Sequence, residues 1–289
     1  MAKGYDVVAI VDWSAASKPT SATKKSDAIW IGTADKGAET QTHFQTRHRA
    51  ESHIRQLVTQ VVKTGRRALV GFDFAFGYPK GFAACLTGAG RAEAVWQWLA
   101  ERIEDSPENC NNRFDIASRI NALFKHPGPF WSHPLRQTYP DLPYRKVGID
   151  YRSLGIGEFR TVEMQTKGAK SPWMLYNPGA VGSQSLLGLP MIHRLSQLPG
   201  VQVWPFATTD APVVLAEVYP SLLGSTVTTA TESMAIEKDR AQVTLLARAF
   251  WRLARNHQIA PMFEVPAIAR EEGWILGAGH PGLLQDAIK

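Results

Sequence analysis

An apolar run that meets an acid occurs three times in this chain, and no other feature restricts its fold as much. The runs are Val7-Val8-Ala9-Ile10-Val11 before Asp12, Ala68-Leu69-Val70-Gly71-Phe72 before Asp73, and Val213-Val214-Leu215-Ala216 before Glu217. Uncharged and rich in β-branched residues, such a run forms a strand that is apolar on both faces and belongs inside a sheet. The acid then stands at the mouth of the core. A single acid there serves as a turn or cap residue as readily as a ligand. Three such acids on neighbouring strands would gather at one sheet end.

The segments between these runs supply the topology. A polar loop, Ser17–Lys25, leads to a second strand, Ala28-Ile29-Trp30-Ile31-Gly32. The turn around Asp35–Gly37 leads to a third, half-exposed strand near Gln41–Gln45, so the first three strands form an antiparallel meander. Ile54, Leu57, Val58, Val61 and Val62 recur at helical spacing before Gly65. A strand that follows a helix is expected to run parallel to the first through a crossover, which brings Asp73 to the same sheet end as Asp12. Residues 80–209 are too long for a structureless loop. They carry predicted helices at Arg91–Ile103, Arg113–Phe124 and Gln184–Leu198, a Pro- and aromatic-rich stretch at His126–Tyr144, and a strand at Val201–Trp204. After the strand ending near Glu217 comes a long helix, Lys238–Asn256, with Val243, Leu246, Phe250 and Leu253 inward and Asp239 in its first turn.

The expected fold is therefore an α/β protein with a ribonuclease H-like mixed sheet, three antiparallel strands and then parallel strands, flanked by helices and carrying a large inserted subdomain. Residues 1–79 form the first part of the core, 80–209 a basic, aromatic-rich insertion or cap, and 210–289 the rest of the core with the C-terminal tail.

Composition narrows the class further. A hydrophobic content of 44% and a charged content of 20% over 289 residues give material for a real core. Cys85 and Cys110 have no metal-like spacing and are expected to be small buried side chains. No apolar stretch approaches the ~18 residues of a membrane span, and the N-terminus lacks a signal peptide pattern, so a cytoplasmic protein without a membrane partner is expected. Of the net charge of +6, residues 111–176 supply most, with ten Lys/Arg against five acids. A local basic excess points to an anionic substrate, nucleic acid or nucleotide. Aromatic residues interleave with these bases, as in single-strand binders or in an irregular aromatic core.

Clustered carboxylates raise one another's pKa and destabilise a fold unless a cation neutralises them. Asp12, Asp73 and Glu217, with Asp239 facing them, form a hard oxygen donor set suited to Mg²⁺ or Mn²⁺. Two such ions, ~3.5–4 Å apart, activate water and stabilise the leaving oxygen of a phosphodiester. These four acids are the candidate catalytic and metal residues, and Ser14, Arg113, Arg160 and Glu163 the candidate substrate contacts. Asp239 is also explained by the helix dipole alone, and Arg160 with Glu163 by an ion pair. The eight histidines are scattered and none is assigned a metal role. Ser14 lacks a nucleophile elbow, which argues against serine hydrolysis.

The motifs Ile10-Val11-Asp12, Gly71-Phe72-Asp73-Phe74-Ala75-Phe76-Gly77-Tyr78-Pro79 and Glu217-Val218-Tyr219-Pro220 also carry a family resemblance. Together with Asn112-Arg113-Phe114, Arg160-Thr161-Val162-Glu163, Asp239 and Glu272-Gly273-Trp274-Ile275, they resemble the uncharacterised domain of unknown function 429 family of the ribonuclease H-like superfamily. The resemblance spans nearly the whole chain and implies a ribonuclease H-like fold with a nuclease-like carboxylate site. Where the family carries a run of acids at the last helix, this chain has Asp239 before Arg240-Ala241-Gln242. The expected activity is Mg/Mn-dependent phosphodiester hydrolysis. Alternatives are an actin- or sugar-kinase-like nucleotide-binding phosphotransferase, for which Asp12-Trp13-Ser14 is a loose match, and a non-catalytic binder of a small anion.

Overall fold

The computed structural model describes residues 4–21, 28–36, 38–234 and 236–289. Residues 22–25 of the polar loop and Gly37 of the turn lie outside the described residues. The first strand, β1 (Val7–Asp12), pairs antiparallel with β2 (Ile29–Asp35), and β2 pairs antiparallel with β3 (Ala38–Phe44). Helix α1 (Arg47–Lys63), capped by Thr46, then crosses to β4 (Ala68–Phe72), which lies parallel to β1.

Five helices follow before the sheet resumes: α2 (Phe82–Thr87), α3 (Ala92–Ala100), α4 (Arg113–Asn121), α5 (Thr161–Gln165) and α6 (Gly182–Ser196). Short β5 (Val201–Val203) and then β6 (Val213–Glu217) add parallel to the sheet, giving the order β3-β2-β1-β4-β6-β5. The chain closes with α7 (Ser225–Met234), α8 (Lys238–Arg255), α9 (Ala269–Glu272) and α10 (Pro281–Ile288). An α/β architecture with three antiparallel strands, then parallel ones, and helices on both faces is thus observed. No described helix is long and apolar enough to cross a membrane.

Because strand side chains alternate with a period of two, each central strand feeds both faces. Val7, Ala9, Val11, Val70, Phe72, Val213 and Leu215 enter one core with α1, α3 and α6. Val8, Ile10, Leu69, Val214, Ala216 and Val218 enter the other, where α8 packs with Val243, Leu246, Phe250 and Leu253. Aromatic residues of the 80–209 segment extend the first core: Phe82, Phe130 and Trp173 pack ring to ring with Tyr78, in the same core as Phe72 and Phe76. Most of those aromatics are therefore core, and Tyr176 is an exposed exception.

Two cysteine expectations are corrected. Cys85 and Cys110 are both exposed. Cys85 lies on the outward side of α2, whose buried positions are Phe82, Ala83 and Leu86, and Cys110 follows Asn109, a left-handed residue in a surface turn.

Candidate active site

Register decides which acids meet. Phe72 pairs with Val11 on one side and with Glu217 on the other. Residues in register share a face, so Glu217 projects with Val11 and Phe72, while Asp12 and Asp73 lie one residue further on and project to the opposite face. That face is covered by α8, which carries Asp239 in its first turn. The backbone ladder continues past β4, with the Asp73 N–H donating to the Val11 carbonyl at 3.2 Å.

The Asp12 and Asp73 carboxyl groups lie close enough to interact, and the contact with Asp12 lowers the Asp73 pKa. Two carboxyl groups form a direct hydrogen bond only when one of them holds a proton. The Trp13 N–H also donates to Asp73 Oδ1 at 2.8 Å. Burial, reinforced by the nearby charge of Asp239, pushes the Asp73 carboxyl up to about 6, against the lowering effect of the Asp12 and Trp13 bonds.

Asp12 and Asp239 line an open cleft of about 630 Å³, and Asp73 lies behind Asp12, outside its walls. Its walls include Asp12, Ser14, Ser17, Arg113, Tyr176, Ser183 and Asp239, so the start of α8 faces the start of α6 across it. Ser14 Oγ accepts the Ala16 N–H at 3.1 Å and shapes the turn after β1. Arg47 anchors the same turn by donating to the carbonyls of Ser14 at 3.1 Å and Ala16 at 2.7 Å. Arg113 is 6% exposed. Its Nε donates to Ser183 Oγ at 2.9 Å, and its Nη1 to Ser17 Oγ at 3.0 Å and Asn111 Oδ1 at 2.7 Å. A neighbouring cavity of about 420 Å³ shares Trp13, but its charges pair internally, Arg47 with Asp105 and Arg194 with Glu51.

The remaining expected site residues lie elsewhere, and their roles are corrected accordingly. Glu217 does not join the aspartates. Its Oε1 accepts Arg160 Nη2 at 2.6 Å, and its Oε2 accepts Arg160 Nη1 at 2.7 Å and the Phe76 N–H at 3.0 Å. Both oxygens are thus committed, which removes Glu217 from the metal and catalytic set. Arg160 is 1% exposed and also donates from Nε to Glu163 Oε1 at 2.8 Å. Burial opposes its charge, but the carboxylates of Glu217 and Glu163 hold its pKa above the usual guanidinium range. Burial also raises the Glu163 carboxyl, opposed by Arg160.

Neither Arg160 nor Glu163 is available to a substrate. They form a clamp with the C-terminal tail instead: Arg160 Nη1 reaches the Glu272 carbonyl, while the Glu272 carboxylate accepts the N–H groups of Lys80 and Thr161. Gly77 completes the clamp, because a Cβ there would collide with the Glu272 carbonyl.

Sequence reasoning did not single out Ser17, Ser183 or Gln184, which also line the cleft. The available signal was the Asn177-Pro178-Gly179 turn just before the apolar helix α6, since a helix start offers unpaired N–H groups. Among the described residues, no three His, Cys, Asp or Glu side chains are gathered closely enough to hold a metal ion by themselves. The chain matches no family model, no curated protein and no solved structure.

Proposed function

We propose that this chain is a ribonuclease H-like, divalent-metal-assisted phosphodiester hydrolase resembling the uncharacterised domain of unknown function 429 family, with residues 80–209 as an insertion capping the sheet end. The observation that carries the reading is the juxtaposition of the Asp12 and Asp73 carboxyl groups, with Asp12 and Asp239 together at the cleft. The strand order supports the fold analogy, with acids at the end of β1, just after β4 and in the first turn of α8.

The donor set fits Mg²⁺ or Mn²⁺. It is all oxygen, Asp12 and Asp239 open to the cleft, and its carboxylates suffer a repulsion that a cation relieves. Mg²⁺ commonly takes one or two carboxylates and completes its shell with water and substrate phosphate, so Asp12 and Asp73 suffice as its protein ligands. When bound, the ion supplies Lewis-acid stabilisation of the phosphoryl oxygens.

The chain's own residues do the rest. Asp239 orients the attacking water and takes its proton as the water oxygen bonds to phosphorus. The ester P–O bond then breaks, and the departing alkoxide is protonated from solvent. Asp73, with its carboxyl raised to about 6, is mostly ionised at neutral pH and able to hold a cation. In this account Glu217, Arg160 and Glu163 hold the architecture that presents Asp73.

The test is Mn²⁺-dependent cleavage of bis(p-nitrophenyl) phosphate and of a nucleotide diester by Asp12→Asn. The variant is expected to fold as the wild type and to lose at least about a hundredfold in rate, the scale of a lost catalytic acid–base or metal contact. Wild-type cleavage in Asp12→Asn, or in excess chelator, would refute the reading. ATP turnover without diester cleavage would favour a phosphotransferase instead.

A further inference from the structure

Three arginines are buried among the described residues: Arg47, Arg113 and Arg160. Arg47 faces Asp105 at 2.6 Å, and Arg160 faces Glu163 and Glu217. Arg113 forms no ion pair within 4 Å among the described residues. Its Nε and Nη1 donate to neutral oxygens only, and its Nη2 has no acceptor among the described residues. Burial, and then the charge of Arg47, hold its pKa down to about 10, which still leaves it cationic at neutral pH. A charge held out of water without a counter-charge is costly, and this one lines the cleft.

The start of α6 meets it there. Ser183 holds Arg113 through its Oγ, while the backbone N–H groups of Ser183 and Gln184 have no acceptor among the described residues. No side chain caps this 15-residue helix. A helix start of that kind favours an anion, and the unpaired guanidinium beside it is the independent sign that a ligand supplies the missing charge.

The size and lining of the cleft define that ligand. A volume of about 630 Å³ lies within the ~300–1,000 Å³ of small-molecule sites. Of the segment's exposed bases, Arg119, Lys125, Arg136, Arg145, Arg152, Lys167 and Lys170, none lines the cleft, so it offers no basic track for a polynucleotide backbone. Tyr176 does line it and is 42% exposed, presenting a ring on which a planar base can stack.

We propose that the cleft binds a small phosphorylated molecule of nucleotide size, its terminal phosphate held by Arg113 Nη2 and the Ser183 and Gln184 N–H groups. This inference rests on the hydrolase reading only in placing the phosphate opposite the aspartates that would do chemistry on the molecule. The recognition itself needs neither a metal nor turnover.

The experiment is titration calorimetry of the full chain, in excess chelator, with adenosine 5′-monophosphate, adenosine and a 5′-phosphorylated decathymidylate. The wild type is expected to bind the nucleotide at least about tenfold more tightly than adenosine, a difference of about 1.4 kcal/mol. Arg113→Gln is expected to lose that preference. Gln184→Pro, which removes one N–H at a helix position that tolerates proline, is expected to weaken nucleotide binding severalfold and provides a second readout if Arg113→Gln fails to fold. Asp12→Asn is expected to keep the nucleotide affinity, so loss of hydrolysis and loss of phosphate recognition are read separately. Equal binding of nucleotide and adenosine by the wild type, or wild-type nucleotide binding by Arg113→Gln and Gln184→Pro, would overturn the phosphate site. Tighter binding of the decathymidylate than of the mononucleotide would overturn the small-molecule assignment.

Discussion

Asp73 is the residue on which local electrostatics and chemistry converge. Its folded pKa of about 6 lies above the ordinary aspartate value of 3.8, so the folded chain binds this proton more tightly than the unfolded chain does. The associated stability is fully present below about pH 4 and is lost as pH rises through about 6. Asp73→Asn keeps an oxygen for the Trp13 N–H and offers an amide N–H to Asp12, without the ionisable charge. The variant is expected to be more stable than the wild type above pH 6, by on the order of 2–3 kcal/mol for a shift of about two units, and catalytically dead. The excess should shrink to near zero by pH 4. A wild type more stable than Asp73→Asn at pH 7 in the absence of divalent ions would contradict the raised Asp73 carboxyl.

Strand ends and their parity explain the elements. The acid-ended runs located β1, β4 and β6 from the sequence because continuous apolar stretches have few alternatives to a buried strand. That Glu217 parts from the aspartates was not legible, because it depends on register. One residue of offset between Phe72↔Glu217 and the Asp12 and Asp73 positions sends the side chains to opposite faces. Glu217→Gln is expected to destabilise the fold by about 3 kcal/mol, the scale of breaking a buried ion pair, read as a lower denaturant midpoint, while each folded molecule keeps Mn²⁺-dependent cleavage. Loss of cleavage with unchanged stability would restore Glu217 to the site. Helix α6 gives a second check: a Cβ at Gly188 would run into the Phe74 ring, which packs against Trp13 and Phe72. Gly188→Ala is therefore expected to cost about 1–3 kcal/mol by overpacking.

At the scale of the molecule, distant segments serve one cleft. The Arg160 clamp joins the loop after β4, the end of β6, helix α5 and the C-terminal tail, so the motifs around Glu163, Glu217 and Glu272 hold the structure together while Asp12 and Asp239 face the cleft with Asp73 buried behind Asp12. The sequence exposed these motifs without separating the two roles, since a carboxylate reads the same whether an arginine or water faces it. It also hid α7, whose Thr-rich Ser225–Met234 has weak helix propensity, and α10, a short helix opening on Pro281. The chemistry of the cleft turns on Asp12 and Asp73 acting together, with Glu217 apart from them. Carboxyl carbon-13 NMR of aspartate-labelled protein, titrated from pH 3 to 8, tests it directly. An aspartate transition near pH 6 is expected that persists in Glu217→Gln, disappears in Asp73→Asn and moves lower when Mg²⁺ is added. Aspartates that all titrate at or below their ordinary value near 4, or a transition near 6 unchanged in Asp73→Asn, would contradict it.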